Sequence, residues 1–148
     1  MLKALLKKSK KNQKGFTLIE LLAVIVILAI LAAIAIPSVI SIIHTQNQKA
    51  LAQDALNAIH ATKIYVADQN PTLPVTNAST ASDGVLNSYV DKAGGTGGHE
   101  YKVSVNTSYD YTVNGVATGD LPDNAPSTVT EANLIYFSQN GKWPTANQ

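Results

Sequence analysis

Within the apolar run from Phe16 to Ile36 the chain places one ionisable side chain, Glu20. A carboxylate in a membrane helix costs on the order of 2 to 3 kcal/mol near the bilayer centre and less toward the ends. Glu20 therefore requires compensation. Either it reaches back to headgroup level near the lysines that precede the run, or a specific cation meets it inside an assembly; spacing alone leaves both open. Other chemistry is sparse. His44, His60 and His99 lack metal-ligand spacing, and there is no G-x-S-x-G elbow or hydrolytic acid pair. Gly119-Asp120-Leu121-Pro122-Asp123-Asn124 offers oxygen ligands for calcium through Asp120 and Asp123, or reads as a proline-containing turn. Gly94-Gly95-Thr96-Gly97-Gly98 reads as a turn, because neither a Lys-Ser/Thr pair nor a preceding apolar strand makes it a phosphate loop. Asn77-Ala78-Ser79 and Asn106-Thr107-Ser108 fit the glycosylation sequon, a triplet frequent by chance.

The elements that carry these residues divide the chain unevenly. The 148 residues suffice for one domain with a core. Net charge is +1, but Lys3, Lys7, Lys8, Lys10, Lys11 and Lys14 all precede Gly15. Those are six of the eleven basic residues; the other five face ten acidic groups, so the remainder carries about −5. The run Phe16–Ile36 spans roughly 31 Å as a helix, a bilayer core in length. Lysines on one side of it predict that residues 1–15 stay cytoplasmic and the C-terminal part lies outside. A secretory signal cut after Ala33-Ile34-Ala35 is the plainer alternative, yet the run exceeds a signal h-region and carries Glu20. No cysteine is present, which excludes a disulfide framework, a thiol nucleophile and a lipidated cysteine.

The string Lys14-Gly15-Phe16-Thr17-Leu18-Ile19-Glu20, followed by the aliphatic run and Pro37, resembles the processing site of type IV pilins and pseudopilins. The resemblance covers roughly residues 10–45. It implies that a prepilin peptidase cuts between Gly15 and Phe16 and methylates the new Phe16 amine. It implies further that Glu20 pairs with the Phe16 amine of a neighbouring subunit, setting register in a homopolymer. A glycine before the cut suits an unhindered backbone at the membrane surface. A low-dielectric helix bundle strengthens such a pair and penalises an unpaired Glu20. The implied partners are the peptidase, an assembly ATPase, a platform membrane protein and further copies of the chain. Some pseudopilins bind calcium in a C-terminal loop, which is the context for Asp120 and Asp123. The missing cysteine departs from many Gram-negative pilins and favours a Gram-positive source or a pseudopilin.

Pro37 cannot bond the Ala33 carbonyl, which predicts a kink or a loosened turn. Beyond it, Leu51, Ala55, Ala58, Ile59, Thr62, Tyr65 and Val66 recur at helical spacing, opposite Gln53, Asp54, Asn57 and His60. A helix from about Phe16 to about Asp68 is expected, ended by Asn70-Pro71. Residues 69–84 read as a surface connection. Leu86, Tyr89 and Val90, after Asp83 and before Gly94-Gly95, read as a short capped helix. Tyr101, Val103 and Val105, then Tyr109, Tyr111 and Val113, alternate as strands; Leu134 to Phe137 reads as a third, with Asn114-Gly115 and Asn140-Gly141 as tight turns. The fold class expected is α+β: a long N-terminal helix packed on a small antiparallel sheet, pilin-like.

The organisation expected is a cleaved basic leader (1–15), a hydrophobic membrane or filament-core helix (16–37), and an amphipathic half-helix with an α+β head (38–148). The function expected is structural and non-enzymatic, with no cofactor: a pilus subunit, the major pilin being the preferred form, resident in the cytoplasmic membrane before assembly and in a surface filament afterwards. Adhesion, motility and DNA uptake are the uses such a filament serves. The alternatives are a pseudopilin of a competence or type II secretion system, a monomeric membrane-anchored binding domain, and an exported enzyme. The acidic, arginine-free segment 16–148 argues against direct nucleic-acid binding by the subunit.

Overall fold

The computed structural model describes residues 16–91, 95–117 and 119–145. Helix α1 spans Leu18–Gln69, close to the expected bounds. It ends where Asn70 turns into the left-handed region (φ 44°), its N–H still bonding the Val66 carbonyl at 3.0 Å, before Pro71 forbids continuation. The chain divides into two compact units, Met1–Ser41 and Ile42–Gln148.

In the described part of the first unit every side chain is exposed, and the helix continues through Pro37 without interruption. The second unit is an α+β head. Its sheet has the order β1-β2-β3-β4, antiparallel throughout: β1 Val75–Ser79, β2 Tyr101–Val105, β3 Tyr111–Gly115 and β4 Val129–Thr130. Short helix α2 is Asn87–Val90 and helix α3 is Glu131–Asn140. From the head portion of α1, Ala52, Ala55, Leu56, Ala58, Ile59, Ala61 and Thr62 are buried. Those apolar residues form one core with Tyr101, Val103 and Val113 of the sheet, Leu86 beside α2, and Leu134 and Phe137 of α3. Four of the α1 residues are alanines, so the helix backbone can lie close to its neighbours. Thr62 avoids an unpaired buried hydroxyl by donating to the Ala58 carbonyl at 2.9 Å.

Strand β2 is as expected: Tyr101, Val103 and Val105 are buried and alternate with more exposed residues. Four expectations require correction. The first concerns residues 69–84, which contain β1. Its register to β2 slips between Val75 and Ala78, with Asn77 at φ 54°, so a bulge erases the alternation that marks a strand. The second concerns Asn114-Gly115, which lies inside β3 opposite Lys102 and Tyr101. Gly115 is there for proximity, since a Cβ on it would sit 2.6 Å from the Cβ of Asp120. The β2–β3 turn is built instead by Asn106, whose Oδ1 accepts from the N–H groups of Ser108 and Asp110, with Tyr109 at φ 63° in the turn.

The third correction is Leu134–Phe137, which is helical. Thr130 and Asn133 cap each other's backbone at the start of α3, and Gly141 closes it in the left-handed conformation with its N–H 2.7 Å from the Phe137 carbonyl. Leu134 and Phe137, three apart, share the buried face while Ile135 stays exposed. Asn140-Gly141 is thus a helix stop. The fourth is α2, which begins after Leu86 with no side-chain cap, so Asp83 does not cap it. Gly94 of the expected stop lies outside the described residues.

Candidate processing and assembly site

Phe16 and Thr17 precede α1, and Phe16 is 89% exposed. The Thr17 N–H and hydroxyl both donate to Glu20 Oε2, at 2.9 and 3.0 Å, while the Glu20 N–H donates to the Thr17 hydroxyl at 3.3 Å. This is a reciprocal capping box: it satisfies donors that the first turn of a helix leaves orphaned and sets a negative charge at the positive end of the helix dipole. The pattern Thr-x-x-Glu before an apolar run is its sequence signal. Sequence reasoning valued Glu20 and passed over its partner Thr17. Glu20 keeps its second oxygen at an exposed position, two residues from the start of the helix.

Gly15, the other side of the expected cut, and the leader lysines lie outside the described residues. Beyond Glu20 the apolar side chains from Leu21 to Ile43 are exposed around the whole circumference of α1. One face would suffice to dock a helix on a globular core; apolar residues all round need lipid or other helices. The segment is long and apolar enough to cross a membrane.

The remaining candidates are dispersed. Asp120 is 6% exposed and internally engaged: Oδ1 lies 3.2 Å from His99 Nδ1, Oδ2 accepts from the Ala117 N–H at 2.6 Å, and its carbonyl accepts from the Tyr101 hydroxyl at 2.7 Å. Asp123 is exposed and sits 3.4 Å from His44 Nε2. The two carboxylates thus serve different partners, and among the described residues no group of three or more His, Cys, Asp or Glu is placed to hold a metal ion. His60 is exposed. Asp54, half-buried, has its carboxyl raised above the ordinary range by desolvation, with His99 pulling the other way. Asn77 is exposed in the β1 bulge, whereas the Asn106 amide is committed to its turn, with Nδ2 donating to Asp110 Oδ2 at 2.8 Å.

A family model, the prokaryotic N-terminal methylation motif, matches residues 10–36. The chain carries the type IV prepilin-like processing motif. No curated protein and no solved structure matches the chain. The prepilin motif spans Gly15, Phe16, Thr17 and Glu20 and ends just before Pro37, so the capping box and most of the exposed apolar helix lie within it. It is a motif of pilin-like and pseudopilin precursors and supports that class for this chain, and it is a structural motif rather than an enzyme family's. Such a motif implies processing by prepilin peptidase and assembly into a pilus-type filament, and the apolar helix behind it is consistent with membrane anchoring before assembly.

Proposed function

We propose that this chain is the repeating subunit, the major pilin, of a type IV pilus-like filament that serves adhesion, motility or DNA uptake. Prepilin peptidase cuts between Gly15 and Phe16 and methylates the Phe16 amine. The subunit waits in the cytoplasmic membrane with its N-terminus inside, and an assembly ATPase and platform protein then draw it into a surface filament. The observation that carries this reading is the prepilin motif standing directly on a helix exposed and apolar on every side. Lipid covers that surface during storage and neighbouring copies cover it in the filament core.

The capping box gives Glu20 a place in both states. In the isolated subunit its carboxylate is held by Thr17. In the filament the Phe16 amine of a neighbour offers a full positive charge, and a low-dielectric core makes that exchange favourable while penalising subunits out of register. The test is the N-terminal residue and mass of the protein in sheared surface material from its native cells. N-methylated Phe16 in high-molecular-weight filaments is expected. A chain beginning at Met1 in membranes, or at Ile36 as a soluble monomer, would overturn the proposal.

A further inference from the structure

The second unit holds a cleft of about 380 Å³ between the first turns of its share of α1 and the chain that follows α3, and every lining residue belongs to that unit. One wall is Trp143, half-buried and fixed before any ligand arrives. Its indole N–H donates to the Asp123 carbonyl at 2.8 Å, and its ring lies on buried Phe137 with centroids 4.6 Å apart. Gln48 Oε1 accepts from the Asp123 N–H at 2.6 Å, which ties the same residue to α1. The backbone of Asp123 is thus spent on the fold, while its carboxylate is exposed, 3.4 Å from His44 Nε2. Exposed Asn124 and Lys142 complete the opening.

Two properties of this lining select a ligand class. The first is charge: the Asp123 carboxylate and the Lys142 ammonium cancel, and Asp123 is the one acidic group among the described lining residues. A single carboxylate is too few for a calcium-type cation, and it repels a phosphate, while Lys142 repels a polyamine. The second is the interleaving of donors and acceptors. Asp123 only accepts, Lys142 only donates, the Gln48 amide keeps its nitrogen for donation, and Asn124 and a neutral His44 offer both. An apolar ligand would strip water from these groups and return no partner. A sugar ring meets both conditions, because each hydroxyl on its rim donates and accepts while its C–H face packs on an indole. The volume lies at the small end of the range for ligand clefts, about 300 to 1,000 Å³, and suits a short stretch of glycan.

We propose that this cleft binds a neutral hexose unit of a glycan, with the C–H face of the ring on Trp143 and its hydroxyls on Asp123, Asn124, Gln48 and Lys142. The bonds that already fix Trp143 and Asp123 reduce what must be ordered when the sugar arrives. The inference rests on the head alone. It gives the adhesive use proposed above a ligand class, and it needs neither cleavage nor polymerisation.

Trp143 is the chain's single tryptophan, so its fluorescence reports on the cleft directly. The full chain, in lipid nanodiscs free of sugar-headed detergent, is to be titrated with glucose, galactose, mannose, N-acetylglucosamine, lactose and chitobiose, and with inorganic phosphate and spermidine as charged controls. A saturable change with at least one of these sugars is expected, and none with phosphate or spermidine. Asp123→Asn should weaken sugar binding about tenfold, since it removes a charged acceptor. It keeps the backbone bonds to Trp143 and Gln48, so it separates ligand contact from folding. Asn124→Gly should weaken binding several-fold, and glycine keeps the φ of 57° that Asn124 holds. No saturation by any of these sugars, phosphate or spermidine binding as tightly as they do, or binding indifferent to both substitutions would overturn the site. A chain that binds sugar but begins at Met1 in native membranes would overturn the pilus reading and leave the cleft standing; cut subunits in filaments that ignore sugars would overturn the cleft alone.

Discussion

Helix α1 is one element built for two surroundings. Before Ser41 its apolar side chains point outward on every side; after Ile42 its buried residues form a face pressed on the sheet, with Gln53 and His60 left to water. The difference teaches that helix propensity is common to both parts while burial is supplied by different partners. The head brings its own covering, and an N-terminal part apolar on every side needs lipid or other helices around it. The two regions should therefore fail independently.

The largest effect expected is at the cut. Replacing Gly15 with Phe should leave an uncut precursor in the membrane and no filaments, seen by immunoblot of sheared and membrane fractions, while thermal unfolding of the head stays unchanged. Glu20→Ala should be cut normally. Breaking a buried ion pair costs about 3 to 5 kcal/mol, so filament yield should drop more than about tenfold. Uncut Glu20→Ala protein would contradict the separation of cutting from assembly.

The converse test lies in the head. Ile59 is fully buried against the sheet, and Ile59→Ala should cost about 2 to 5 kcal/mol in denaturant unfolding through lost contacts and a residual cavity. Cleavage at Gly15 should be unaffected. Thr130→Ala, which removes the cap of α3, should cost about 1 kcal/mol in the same measurement. If either head substitution blocked cutting, the two regions would not be independent.

The smallest effect is a pH dependence. Burial raises the Asp54 carboxyl above its ordinary 3.8, so the folded state binds this proton more tightly than the unfolded state does. The contribution to stability is greatest below 3.8 and declines as pH rises through the raised value. Asp54→Asn should flatten that decline, and an unchanged slope in urea midpoints against pH would remove Asp54 as its source.

Much of the candidate site is legible without coordinates, because its signals are local. Charge placement, apolar length and the Gly-Phe-x-x-x-Glu spacing are properties of consecutive residues. The capping box is equally local, since a threonine three residues before Glu20 at the start of an apolar run is its whole signal. The sheet was read where alternation is unbroken, as in β2, and misread where a bulge interrupts it, as in β1.

The sequence by itself determined the long helix, its membrane-length apolar half, the processing motif and the existence of an α+β head, since each follows from composition or periodicity within a short window. Only the tertiary structure decided that Val75–Ser79 joins the sheet, that Leu134–Phe137 is helical, that Asp120 turns inward to His99, and that His44, Asp123 and Trp143 share one cleft. Each of those outcomes depends on partners far away in the chain. A short apolar run suits helix or strand equally, and a carboxylate suits a metal or a histidine, until packing brings one neighbour within reach and excludes the other.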